Sequence, residues 1–285
     1  MPLHVAFWRK GDKDVRAVPA VEQGLKVSLR LGSDRDGAAR LPPPRRLRDD
    51  GPVRLWIYGG LGLAAAWCAP APAPVVPAVA NALAIPKRIR HDSGVALTFD
   101  DGPHPQGTPA ALELLAAAGA TATFFLVGEQ VERWPAVAAE IAAAGHEIAL
   151  HGYRHRLMLG RTTSALKRDL AHAVEVVAAA TGSMPLCYRP PYGVFSAGGL
   201  ALARRHGWAP LLWSRWGRDW EAQATPAGIA RCATAGLRAG DVVLLHDADH
   251  YSSEGSWRKT VAALPLVFEA VAGCGLRCVR VTDST

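Results

Sequence analysis

The C-terminal two thirds of this 285-residue chain, residues 87–285, read as an α/β domain of about seven parallel strands joined by right-handed crossover helices. Three observations carry that expectation. Short strand-like apolar runs alternate with longer helix-like ones. Several of the longer runs stop at a glycine, the usual C-terminal punctuation of a helix. Ionisable residues recur just after the short runs, at the strand ends where parallel α/β domains collect their chemistry.

Taken in order, Val95–Phe99 is the first expected strand, and Pro109–Ala118 the first expected helix, stopped by Gly119. Strand Thr121–Val127 and helix Trp134–Ala144, stopped by Gly145, come next. Strand Glu147–Leu150 leads to helix Ser164–Ala180, and strand Leu186–Arg189 to helix Ala197–His206, stopped by Gly207. The pattern closes with strand Ala209–Trp213, helix Pro226–Leu237, strand Val242–Leu245, helix Trp257–Val271 and strand Leu276–Val281. Periodicity alone leaves open whether the sheet closes into a barrel or stays open.

Two segments precede this domain. Residues 1–54 show no sustained period, carry Pro42, Pro43 and Pro44 and a basic run at Arg45, Arg46 and Arg48, and are expected to be a disordered basic tail. Residues 55–86 contain no charged residue. Their apolar start, 55–69, follows Arg54, is shorter than the roughly 20 residues of a spanning helix, and resembles the middle of a secretory signal or a weak membrane anchor. Pro70, Pro72, Pro74 and Pro77 then break any long helix. The expectation is a signal or anchor segment lying outside the domain, with the domain secreted or membrane-anchored beyond the cytoplasm.

The formal net charge of +7 is unevenly placed. Residues 1–90 hold 15 Lys and Arg against 7 Asp and Glu, whereas residues 91–285 hold 17 against 18. The α/β domain therefore lacks the electrostatic footprint of nucleic-acid binding. With 49% apolar and 20% charged residues, wholesale disorder is excluded as well. Five widely spaced cysteines, an odd number, do not form a disulfide framework.

Five strands deliver polar groups to one rim. The first ends in Asp100-Asp101, the third in His151-Gly152-Tyr153-Arg154-His155, and the fourth in Arg189-Pro190-Pro191-Tyr192. The fifth leads to Trp216-Gly217-Arg218-Asp219-Trp220, and the sixth ends in His246-Asp247. Two imidazoles and one carboxylate make a metal-ligand set that leaves coordination positions open. The second carboxylate, kept ionised by the metal and by an arginine, is then free to take a proton from water. A histidine from another strand supplies an acid for the leaving group.

From about Val95 to Thr282 these residues resemble the polysaccharide deacetylase family, the chitooligosaccharide deacetylase or NodB homology domain among carbohydrate esterases. The resemblance implies a distorted (β/α) barrel with fewer than eight units. It implies Asp100 as catalytic base, Asp101, His151 and His155 as metal ligands, and Arg189 as partner of Asp100. Asp219 would tune His246 as the acid. Pro191, Tyr192 and Trp220 would line the groove, the backbone N–H of Tyr192 would hold the oxyanion, and Leu244 would border the acetyl-methyl pocket. Zinc is the expected ion, with cobalt, nickel and manganese suiting the same donors. The implied substrate is an N-acetylated amino sugar of a glycan such as peptidoglycan or a chitin-like oligosaccharide. Two positions depart from the family pattern: Gly152 stands where Ser or Thr is usual, and Trp216 where many relatives carry an acid. An Fe(II) oxygenase shares the ligand set, but a second carboxylate and the Arg189 and His246 arms suit hydrolysis better. A glycan-binding module that has lost catalysis is the alternative outside enzymes; retention of base, ligands and acid together argues against it.

Overall fold

The computed structural model describes residues 62–283, so the tail expected at 1–54 and the start of the uncharged run at 55–61 lie outside the described residues. A short helix α1 (residues 62–68) and α2 (Pro77–Ala82) lead into β1 (Gly94–Asp100). There follow α3 (Gly107–Ala117), β2 (Thr123–Leu126), α4 (Gly128–Arg133), α5 (Pro135–Ala143), β3 (Glu147–Leu150) and α6 (Thr163–Thr181). Then come β4 (Cys187–Tyr188), α7 (Ala197–Arg205), β5 (Ala209–Pro210), β6 (Arg215–Trp216) and α8 (Pro226–Thr234). The chain ends with β7 (Val242–His246), α9 (Ser256–Gly273) and β8 (Arg277–Val279).

All strand pairs are parallel, in the order β5-β4-β3-β2-β1-β7-β6. The start of β1 pairs with β8 and its end with β2, so two short strands share one edge of it. Every residue of β1 is buried, as a central parallel strand covered on both faces requires. The sheet is a curled half-barrel, a distorted (β/α) barrel in which β5 and β6 do not pair with each other. The chain between them spans the gap instead. Leu211 N–H donates to Tyr188 on one side (3.1 Å) and Ser214 N–H to Val242 on the other (3.0 Å).

Helix ends follow local chemistry. Thr162, Ser196 and Thr225 cap α6, α7 and α8 through their side-chain oxygens, satisfying N–H groups with no partner inside the helix. Gly182, at φ 66°, ends α6.

Three elements differ from the sequence expectation. Helix α4 and strand β6 are too short to show a period. The Pro- and Ala-rich stretch expected outside the domain packs on it from residue 67 onward. Ala73, Ala80 and Ile85 join the buried core, and the Trp67 indole donates to Leu159 O (3.0 Å). Lys87 Nζ donates to Pro74 O (2.6 Å) and Leu212 N–H to Pro86 O (2.9 Å), so a domain edge at residue 87 cuts through packed structure. No helix among the described residues is long and apolar enough to cross a membrane.

Candidate metal centre and active site

The site begins at the tip of β1. Side chains alternate along a strand, so Thr98 and Asp100 share a face. Asp101 would point the other way, but its φ of 77° turns the chain out of the strand and returns its carboxylate to the same rim. Both carboxylates are almost fully buried.

Arg189, wholly buried just beyond β4, anchors one arm. Its Nη1 donates to Asp100 Oδ1 (2.6 Å) and Thr98 Oγ1 (3.0 Å). Its Nε and Nη2 donate to the carbonyls of Leu211 (3.2 Å) and Leu212 (3.1 Å), in the segment that spans the gap in the barrel. The guanidinium lies 4.0 Å from the Phe125 ring centroid, so the cation is desolvated yet fully used. Arg189 thus fixes Asp100 and ties the barrel closure to the catalytic edge.

Asp101, His151 and His155 form the one cluster among the described residues able to hold a metal ion, their ligand atoms lying within 4.8 Å of one another. His151 Nδ1 donates to Arg189 O (2.7 Å), which leaves the Nε2 lone pair facing Asp101 Oδ1 at 3.4 Å. His155 Nε2 approaches the same oxygen at 3.2 Å. Asp101 Oδ1 is buried with no hydrogen-bond partner. An ionised oxygen facing imidazole nitrogens is the donor set of a divalent cation with open positions, so the residues fit the ion. Burial pushes His155 down to about 4, against the pull of Asp101, which keeps it a neutral ligand. Burial alone would raise Asp101, but His155 and His151 outweigh it and hold the carboxyl below the usual range.

The other arm comes from β7. Leu244 and His246 share a face, with Leu244 buried beneath the histidine. Buried Asp219 accepts from His246 Nδ1 (2.9 Å), from the His246 backbone N–H (2.6 Å) and from Thr260 Oγ1 (2.8 Å). Burial opposes the imidazolium, yet the Asp219 charge and hydrogen bond prevail and raise His246 to about 10. His246 Nε2 lies 3.9 Å from Asp101 Oδ2.

Aromatic rim residues pack on the two histidine arms. Tyr192, at φ 62° just after Pro191, is exposed and sets its ring edge-on to His155 (4.6 Å). Trp220 stands edge-on to His246 (5.6 Å), and the partly exposed Trp216 packs on Trp220 (5.5 Å). The structure therefore links Asp100, Asp101, His151, His155, Arg189, Tyr192, Asp219, Trp220 and His246 through direct contacts, with Pro191 next to Tyr192 and Leu244 two residues before His246 in the chain.

Several supporting residues were not anticipated. Thr98 was legible from the two-residue alternation of β1. Thr260 on α9 and Tyr251, which stacks on His155 at 4.3 Å while its hydroxyl donates to Glu129 Oε1 (2.6 Å), carried no local signal. Gly152, at φ 90°, adopts a backbone that a side chain disfavours, so a hydroxyl is not simply missing there. Asp169 of α6 holds this loop instead, accepting from Tyr153 N–H (3.1 Å) and from Arg161 Nη1 (2.7 Å).

The sequence profile of the polysaccharide deacetylase family matches residues 87–211. A peptidoglycan-N-acetylglucosamine deacetylase of Bacillus cereus is 33% identical over 191 residues, 66% of this chain and 86% of its own length. A chitooligosaccharide deacetylase of Azorhizobium caulinodans is 31% identical over 193 residues, 65% of this chain and 91% of its own. Among solved structures, a peptidoglycan N-acetylglucosamine deacetylase bound to a hydroxamate-bearing naphthyl benzamide superimposes with a TM-score of 0.64 at 28% identity. The match covers 69% of this chain and 90% of that one.

Proposed function

The chain belongs to the polysaccharide deacetylase family, hydrolases of carbon–nitrogen bonds in N-acetylated polysaccharides, and from that premise we propose that it removes acetyl groups from amino sugars of peptidoglycan or a chitin-like glycan in a metal-dependent reaction. One observation carries the reading. A carboxylate held by an arginine and an imidazole held by a carboxylate both stand beside the Asp101, His151 and His155 cluster, Asp100 within 3.8 Å of His151 and His246 within 3.9 Å of Asp101.

Asp101, His151 and His155 would hold the ion, and zinc best suits two nitrogens and one oxygen. When bound, such an ion supplies Lewis-acid polarisation of the acetamide and makes water a stronger acid. The chain's own groups then divide the proton traffic. Asp100, fixed by Arg189, takes the proton as water attacks the acetamide carbonyl carbon. The Tyr192 N–H faces the developing oxyanion. His246, kept cationic by Asp219, gives a proton to the nitrogen as the C–N bond breaks, and acetate and a free amino sugar leave. Pro191, Tyr192 and Trp220 wall the sugar, and Leu244 sits behind the methyl group. Because such glycans lie outside the cytoplasm, the apolar start of the uncharged run, ahead of the part that packs on the domain from residue 67, is read as an export or anchoring signal. Mass spectrometry of N-acetylated glycans incubated with the zinc-loaded full chain tests the reading. Loss of acetyl groups supports it, and intact glycan after binding contradicts it.

A further inference from the structure

A second concave site opens beside the loop that carries His155. It is a cleft of about 460 Å³ bounded by Arg154, Arg156, Arg161 and Arg168, with Asp169 and His172 the other ionisable side chains in its wall apart from the phenol of Tyr153. Four guanidiniums share this space with one carboxylate, and that carboxylate is already committed to Arg161 (2.7 Å) and to the Tyr153 N–H (3.1 Å). His172 is turned to Glu132 (3.3 Å), which also accepts from the Tyr153 hydroxyl (2.7 Å). Arg154, Arg156 and Arg168 are exposed and have no ion-pair partner among the described residues. Arg168 reaches only a neutral hydroxyl, Ser164 Oγ (2.8 Å).

Like charges gathered this way repel one another, and a concave wall focuses their field outward. Guanidinium forks match the paired oxygens of carboxylates and phosphates. Arg154 and Arg156 sit one residue on either side of His155, so the cleft and the metal cluster are built on one loop.

We propose that this cleft binds an anionic group, a carboxylate or a phosphate, carried by the glycan whose acetamide is hydrolysed at the neighbouring site. The identity of the carrier rests on the deacetylase reading, while the anion preference rests on the cleft alone. The site then selects for acidic glycans over neutral chitin-like ones.

The test uses the zinc-loaded full chain and three oligosaccharides matched in length and N-acetylated sugar: one neutral, one bearing carboxylates, one bearing phosphates. Acetate release gives kcat/KM, and calorimetric titration gives Kd independently of turnover. The wild-type chain should favour at least one acidic glycan, and the two acidic arms identify which anion it takes. In R154Q/R156Q/R168Q the acidic-to-neutral ratio should fall about tenfold or more, the scale of losing charge-assisted hydrogen bonds. The R154K/R156K/R168K chain, which keeps the charge but not the fork, should fall between. About 0.5 M salt should shrink the preference in the wild type. An acidic-to-neutral ratio that is near one in the wild type, or unchanged in the glutamine variant, overturns the proposal. Arginine-dependent binding of the acidic glycan with no acetate from any of the three would leave the cleft standing and sink the deacetylase reading instead.

Discussion

Replacing Asp219 with Asn removes the charge that makes His246 an acid without removing His246. In the native site Asp219 accepts two hydrogen bonds from His246 and one from Thr260, and it is wholly buried. With the carboxylate in place His246 is raised to about 10; without it, burial opposes the imidazolium against only the lesser pull of Asp101 and Asp100, and the residue returns toward its ordinary 6.5. At pH 8 the protonated fraction then drops from about 99% to about 3%, so kcat/KM falls roughly 30-fold at that pH. At pH 5.5 both proteins keep His246 mostly protonated and the deficit nearly closes. The alkaline limb of kcat/KM should therefore move by up to about 3.5 pH units downward, each unit being a tenfold change in protonation ratio. Acetate release measured from pH 5 to 10 reads the limb, and zinc content is measured in the same samples. A loss of equal size at every pH, or a limb that stays put, would refute the assignment of His246 as the acid tuned by Asp219.

Arg189→Met leaves Asp100 buried without its cation and frees two backbone carbonyls. It should cost about 3–5 kcal/mol in a denaturant titration, and Arg189→Lys should recover only part of that. Gly152→Ala forces a side chain into a backbone at φ 90° and should lower stability by about 1 kcal/mol, read from the thermal midpoint. A chain starting at Lys87 loses Ala73, Ala80 and Ile85 from the core. Ile85 alone is worth about 2 kcal/mol, so the shortened chain should melt well below the full one rather than match it.

Much of this site was legible because parallel strands deliver their chemistry to one edge. The pairs at 100–101 and 151–155, together with Arg189 and His246, could be placed on that edge from strand positions alone. The residues that make them work are harder to read. Thr260 reaches Asp219 from a helix 41 residues away, and Tyr251 covers His155 from a loop nearly 100 residues further along the chain. Long-range contacts of that kind leave no local period. The Pro- and Ala-rich stretch misled for a related reason. Composition describes what breaks a long helix, and it is silent about turns and a short helix that bury small side chains against a barrel, as Ala73 and Ala80 do. Gly152 looked like a lost hydroxyl in sequence. Its left-handed backbone and the brace from Asp169 show a loop held by a different route.

Asp100 and Asp101 are neighbours with opposite roles, and exchanging each for Asn separates the metal from the chemistry. Zinc content and acetate release should be measured together on both variants and on the native chain, with an N-acetylated glycan as substrate. Asp100→Asn should retain zinc and lose on the order of 10²–10⁴-fold in turnover, the usual contribution of a general base, whereas Asp101→Asn should lose zinc and activity together. Zinc lost from Asp100→Asn but kept by Asp101→Asn would reverse the two roles, and full turnover in Asp100→Asn would contradict base catalysis at this site altogether.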